Sequence, residues 1–118
     1  MIFVIDDDPV MARCVAKACK ACGEEVRIFG DAIMAMAALD EELPKMIFLD
    51  ILLSGPDGFT FLNELISYSD TMKIPVVVIS SLDFRGKDLR EYGVVGVLDK
   101  ATMKPEDVKG YVREYARR

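Results

Sequence analysis

The sequence predicts an α/β fold: a doubly wound, five-stranded parallel sheet in the order 2-1-3-4-5, covered by helices on both faces and filling residues 1–118 as one domain. Three observations lead there. Strand-like and helix-like patterns alternate five times along the chain. Residues 2–5, 46–49 and 76–79 are wholly apolar, as strands buried on both faces are. Five such units are also too few to close an eight-stranded barrel, which leaves an open sheet. At 118 residues the chain has one domain's length, with no linker, low-complexity segment or internal repeat to divide it.

Each element has its own local signal. Residues 2–5 form the first strand and end at Asp6-Asp7-Asp8. A helix follows, with Asp8 as its cap, Pro9 in its first turn and Gly23 just past its end. Met11, Cys14, Val15, Ala18, Cys19 and Cys22 recur at helical spacing and are expected on one buried stripe. Val26–Phe29 alternates as the second strand, and Asp31 caps an Ala- and Met-rich helix that ends before Pro44. Met46–Leu49 is the third strand and runs into Asp50. The Ser54-Gly55-Pro56-Asp57-Gly58 loop then opens a helix expected to turn Phe59, Leu62, Leu65 and Ile66 inward. Pro75 introduces the fourth strand, Val76–Ile79, which ends at Ser80-Ser81. Residues 83–92 read as a weak helix interrupted by Gly86, and Val94–Leu98 as the fifth strand, ending near Asp99-Lys100. The last helix starts around Pro105 and is expected to bury Val108, Tyr111, Val112 and Tyr115.

Composition narrows the chemistry. A net charge of −5 disfavours nucleic acid as a direct partner. The basic residues near the end (Lys109, Arg113, Arg117 and Arg118) are interleaved with Glu106, Asp107 and Glu114, which reads as a solvated helix face. There is no histidine, which removes Ser-His-Asp chemistry, histidine-ligated zinc and any phosphohistidine carrier role. Cys19-Lys20-Ala21-Cys22 has redox or zinc spacing, but no second pair exists to complete four ligands. Cysteine on a helical stripe behaves instead as a small apolar residue. No apolar run approaches the roughly 18 residues of a membrane span, and the apolar start meets acidic residues at once rather than a signal-peptide pattern. The expectation is a cytoplasmic protein with no membrane partner.

The reactive residues fall at the strand ends. Strands 1, 3, 4 and 5 finish with Asp6-Asp7, Asp50, Ser80 and Lys100 respectively. Ligands of open parallel sheets bind outside the carboxyl ends of the strands, where the strand order reverses. In the order 2-1-3-4-5 that point lies between strands 1 and 3, so Asp6, Asp7 and Asp50 should meet. Two carboxylates about 4 Å apart repel by roughly 4 kcal/mol at an effective dielectric of about 20. Such a cluster calls for a cation, and hard oxygen ligands alone point to Mg²⁺ or Mn²⁺. Lys100 offers a second cation to a phosphoryl group, and Ser80 a hydroxyl. Taken singly, each residue has an ordinary explanation as a cap or a loop residue. Four strand ends agreeing on one phosphoryl-metal site do not.

With those residues in view, the chain resembles the receiver domains of bacterial two-component response regulators across nearly its whole length. The matching segments are Val-Ile-Asp-Asp-Asp-Pro; Phe48-Leu49-Asp50-Ile51-Leu52-Leu53 with Asp57-Gly58-Phe59; Val78-Ile79-Ser80-Ser81; and Gly93 through Lys100. The resemblance implies the flavodoxin-like three-layer α/β/α arrangement. It implies that Asp50 is the phosphoacceptor, served by a sensor histidine kinase, a histidine phosphotransfer protein or a small phosphodonor. Asp7 and Asp50 would bind Mg²⁺ directly, Asp6 through water, and the Leu52 carbonyl would complete the protein ligands. Ser80 and Lys100 would engage the phosphoryl group. The surface made by residues 83–92, the fifth strand and the last helix would then change for a downstream effector, and a phosphorylation-dependent dimer is compatible with this.

The chain departs from the family pattern in places. Ala101 follows the lysine where the family usually has proline, and Ser54 stands where another proline is expected. Val97 replaces a common switch aromatic, and Leu52 and Leu82 flank the site where polar residues are frequent. The two leucines imply slow hydrolysis of an Asp50 acyl phosphate, because neither can orient a water. Two other readings fit parts of the pattern. Asp6-Asp7-Asp8-Pro9-Val10 resembles the nucleophile motif of haloacid-dehalogenase-like phosphatases, with Asp6 as nucleophile. The second is a receiver-like interaction module that works without phosphorylation.

Overall fold

A computed structural model describes residues 1–51, 58–81 and 89–116. Five strands are joined in one parallel sheet: β1 (Ile2–Ile5), β2 (Val26–Phe29), β3 (Met46–Asp50), β4 (Val76–Ser80) and β5 (Val94–Asp99). Their order is β2-β1-β3-β4-β5, as the sequence predicts. Among the described residues the helices are α1 (Pro9–Ala21), α2 (Ala32–Leu39), α3 (Gly58–Ile66) and α4 (Pro105–Tyr115), with one 3-10 turn at Arg90–Tyr92.

The pleat sorts the apolar strands into two cores. Ile2, Val4, Met46, Phe48, Val77 and Ile79 pack with Val15 and Cys19 of α1 and Val108 and Val112 of α4. Phe3, Ile5, Ile47, Leu49, Val76 and Val78 pack with Ala35 and Leu39 of α2 and Phe61 and Leu65 of α3. Side chains alternate across a strand, so a sheet covered on both faces needs apolar residues at every position. All of β1, β3 and β4 is buried accordingly.

The helix boundaries follow their local signals. Asp8 caps α1, its side chain accepting from the Val10 and Met11 amides. Asp31 caps α2 by accepting from Met34 N at 2.8 Å. Gly23, at φ +86, takes the left-handed conformation past the end of α1.

Several expectations are corrected. Cys14 is exposed, whereas Cys19 is buried and Cys22 partly so. The buried stripe centres on Ala12, Val15, Ala16 and Cys19, and Cys14 falls on its solvent flank. In α3, Phe61 is fully buried while Phe59 is only partly buried, against Tyr92. In α4, Tyr111 and Tyr115 lie partly buried on the rim of the core formed by Val108 and Val112. Of the helix expected over 83–92, residues 83–88 lie outside the described part, and Arg90–Tyr92 form the 3-10 turn. β5 extends one residue further than expected, to Asp99. No helix among the described residues is long and apolar enough to cross a membrane.

Candidate phosphoryl-metal site

Register brings the candidate residues to one end of the sheet. Ile5 pairs with both Phe29 and Leu49, and Asp6 N donates to the Phe29 carbonyl at 3.0 Å, so Asp6 emerges beside the end of β3. Asp50 pairs with Ile79, and Ser80 with Asp99. Lys100 N then donates to the Ser80 carbonyl at 3.0 Å, which continues the β4–β5 ladder to the lysine. On the other side, α3 begins directly against β3. Gly58 N donates to the Ile51 carbonyl at 3.1 Å, and a Cβ at Gly58 would lie 2.6 Å from Ile51 Cα. Only glycine allows that approach, one residue beyond Asp50.

Asp6, Asp7 and Asp50 each offer a carboxylate oxygen, and those oxygens lie within 4.8 Å of one another. Asp6 and Asp50 are buried, at 4% and 3% exposure, whereas Asp7 is exposed and opens the cluster to solvent. Lys100 Nζ donates to Asp50 Oδ2 at 3.0 Å and lies 3.6 Å from Asp6 Oδ2. Asp6 Oδ1 accepts from the Asp8 amide at 2.9 Å, but Asp6 Oδ2 is buried with no hydrogen-bond partner among the described residues. Burial pushes the Asp6 carboxyl up to about 6, and the Asp50 carboxylate adds to the rise against the Asp8 amide and Lys100. For Lys100, burial disfavours the ammonium. Its hydrogen bond to Asp50 and the charges of Asp6 and Asp50 outweigh that and hold it above the usual lysine value.

One ammonium among three carboxylates leaves the cluster negative. The buried, unbonded Asp6 oxygen and an all-oxygen donor set fit a hard divalent cation. Ligand oxygens on Mg²⁺ at about 2.1 Å sit roughly 3–4 Å apart, close to the spacing here. Asp6, Asp7 and Asp50 could hold such an ion.

The sheet therefore brings Asp6, Asp7, Asp50 and Lys100 together, with Ser80 buried at the end of the neighbouring strand β4. Leu52, Ser54 and Leu82 lie outside the described residues. Val97 is 41% exposed on β5, and no peptide among the described residues is cis, Lys100–Ala101 included. Two features go beyond the sequence reading: the Asp6–Asp8 hydrogen bond that orients the first carboxylate, and the close packing of Gly58 on Ile51. The adjacent Asp57-Gly58 pair signals a turn, but a close approach between two backbone segments leaves no periodic trace.

A sequence model of the response regulator receiver domain matches residues 2–113. Response regulator PleD of Caulobacter vibrioides is 34% identical over 112 residues, which is 95% of this chain and 24% of PleD. Among solved structures, the receiver domain of NtrX from Brucella abortus superposes with a TM-score of 0.84. It is 28% identical, over 97% of this chain and 96% of that one. The Mn²⁺-bound form of response regulator Rcp1 superposes with a TM-score of 0.77 at 25% identity, over 94% and 90% of the two chains. The chain spans about a quarter to a third of the length of the curated relatives it matches.

Proposed function

The chain belongs to the response regulator receiver domain family, and on that premise we propose that Asp50 is its phosphoacceptor. The observation that carries the reading is the Lys100 ammonium 3.0 Å from Asp50 Oδ2, inside a cluster of three carboxylates at the carboxyl ends of the strands. An Asp50 carboxylate oxygen attacks phosphorus and forms the P–O bond of an acyl phosphate. The bond to the donor breaks: P–N when the donor is a phosphohistidine, P–O when it is a small acyl phosphate. The electron pair leaves with the donor group, and no further reactant is consumed. Lys100 transfers its hydrogen bond from the carboxylate to the arriving phosphoryl oxygen, and the Ser80 hydroxyl donates to another. Asp6, Asp7 and Asp50, with the Leu52 carbonyl, would hold Mg²⁺ or Mn²⁺, which when bound neutralises the carboxylates and the developing phosphoryl charge. The Mn²⁺-bound relative supports that ligand class.

The chain then acts as one domain over residues 1–118, and as a phosphoacceptor that assists its own phosphorylation and dephosphorylation. It works in the cytoplasm, and its donors are a sensor histidine kinase or a histidine phosphotransfer protein. A downstream effector, or a second phosphorylated copy, reads the changed surface.

Incubation with Mg²⁺ and acetyl phosphate should add one phosphoryl group to the intact protein. Asp50→Asn should abolish that gain while the fold is retained. Labelling that persists in Asp50→Asn and disappears in Asp6→Asn would transfer the role to Asp6, as a phosphatase-like nucleophile. No labelling of folded wild-type protein would leave an interaction module that works without phosphate.

A further inference from the structure

Lys100 stands on a short closed circuit of chain. Asp99 Oδ1 accepts from Ala101 N, and the Asp99 carbonyl accepts from Met103 N, each at 2.8 Å. The chain thus reverses at once after β5 and enters α4 at Pro105. In the second turn of α4, Tyr111 returns to β5. A Cβ on Gly96 would fall on the Oη, Cζ and Cε1 atoms of Tyr111, far inside contact distance. The phenol therefore occupies the space that any other residue at position 96 would need. Tyr115 backs it, the two rings 6.3 Å apart between centroids and 22° from parallel.

At position 96, β5 is met by Tyr111 rather than by a side chain of its own. Its pairing with β4 is irregular here: Val76 faces Val94, Val77 faces Gly96, and Val95 is left between them. On the α4 side β5 contributes Leu98, which packs with Val108 and Val112, while position 96 adds no side chain and Tyr111 fills that place instead. Four residues further on, the Lys100 ammonium sits 3.0 Å from Asp50 Oδ2 and 3.6 Å from Asp6 Oδ2. A flexible lysine stem keeps such a geometry only while its backbone is held.

We propose that Tyr111, seated on the bare backbone of Gly96, is a positioning residue that holds the Lys100 ammonium against Asp50 and ties α4 to the state of that carboxylate. The role in phosphorylation rests on Asp50 as acceptor, whereas the positioning of Lys100 does not. Nothing in the contact requires the hydroxyl as a donor; the reach of the ring is what matters. An ordinary packing role for Tyr111 would alter stability and leave Lys100 where it is.

The test uses the unphosphorylated protein and its phosphorylation by acetyl phosphate with Mg²⁺, for wild type, Gly96→Ala, Tyr111→Leu, Tyr111→Phe and the Gly96→Ala/Tyr111→Leu pair. The readouts are the Lys100 side-chain amine resonance by NMR, the rate at saturating donor, and Mg²⁺ affinity by direct titration. Gly96→Ala and Tyr111→Leu should each shift the Lys100 resonance and slow phosphorylation roughly threefold to tenfold, with Mg²⁺ affinity nearly unchanged. Tyr111→Phe keeps the ring and should restore both. The pair should lose less than the two single changes combined, because leucine vacates the space that the added methyl group needs. Lower thermal stability with an unmoved resonance and rate would reduce Tyr111 to packing and overturn the proposal. Should Gly96→Ala fail to fold, the contrast between Tyr111→Leu and Tyr111→Phe still decides it. A wild type that takes no phosphoryl group refutes the Asp50 reading alone, since the resonance in the unphosphorylated protein judges the positioning separately.

Discussion

Asp6 ionises only against the cost of its burial, with Oδ2 unbonded and the Asp50 carboxylate beside it, and its pKa rises to about 6 from an ordinary 3.8. Between those values the folded chain holds a proton that the unfolded chain has released. The Asp6 contribution to stability of the metal-free protein therefore falls as pH rises from about 3.8 through 6 and levels off above it. At 1.36 kcal/mol per pKa unit the loss is of order 2–3 kcal/mol. Thermal melts at pH 5 and pH 7 should show this slope in wild type but not in Asp6→Asn. Mg²⁺ should stabilise more at pH 7, where the carboxylates are free to bind it; a metal effect independent of pH would contradict that. Asp7 and Asp8 provide a second contrast. Asp8 Oδ1 is committed to Val10 N at 3.0 Å, whereas Asp7 belongs to the carboxylate cluster. Asp7→Asn should weaken Mg²⁺ binding in a titration far more than Asp8→Asn, and equal effects would mean the triplet is wrongly apportioned. That division was legible in the sequence, because a cap is specified by the residues that follow it. The unbonded Asp6 oxygen was not, because it depends on Asp50 and Lys100 arriving from elsewhere.

At the level of elements, the start of α3 sets two effects against each other. Alanine favours a helix over glycine by about 1 kcal/mol, so propensity alone makes Gly58→Ala stabilising. The new Cβ, however, would lie 2.6 Å from Ile51 Cα and 2.8 Å from the Ile51 carbonyl oxygen. Both are backbone atoms of a buried residue just past the end of β3, so they cannot yield cheaply, and overpacking of this kind costs about 1–3 kcal/mol. Gly58→Ala should therefore lower stability in urea denaturation. A gain would show that α3 can move away from β3 freely. The caps of α1 and α2 and the limits of β1, β3 and β4 were readable because capping and two-sided burial are properties of contiguous residues. Residues 83–92 carried a weak pattern, and only their end, the Arg90–Tyr92 turn, is described.

Across the whole molecule, the way the site's residues are anchored predicts which side responds to phosphorylation. Asp6 follows a central strand and is pinned by the Asp8 amide, whereas Ser80 and Lys100 end the two strands at one side of the sheet. A phosphoryl group on Asp50 would draw on Ser80 and Lys100, so the response should pass to β5, α4 and residues 83–92. Gly110 lies inside α4 and weakens that helix by roughly 1 kcal/mol relative to alanine. Amide exchange measured with and without phosphorylation should change in those segments more than in α1 and α2. Changes confined to α1 and α2 would refute this direction of coupling.

Hydrophobic period, capping and the reversal point of a parallel sheet were enough to predict the strand order, most helix boundaries and the meeting of Asp6, Asp7, Asp50 and Lys100 at the strand ends. All three are carried by neighbouring residues, so they can be read along the chain. Packing alone established that Lys100 bridges toward both Asp50 and Asp6, that Cys14 faces solvent, and that Gly58 and Gly96 admit a backbone and a ring. Each of those depends on register and contact between separate elements, for which a local pattern holds no signal.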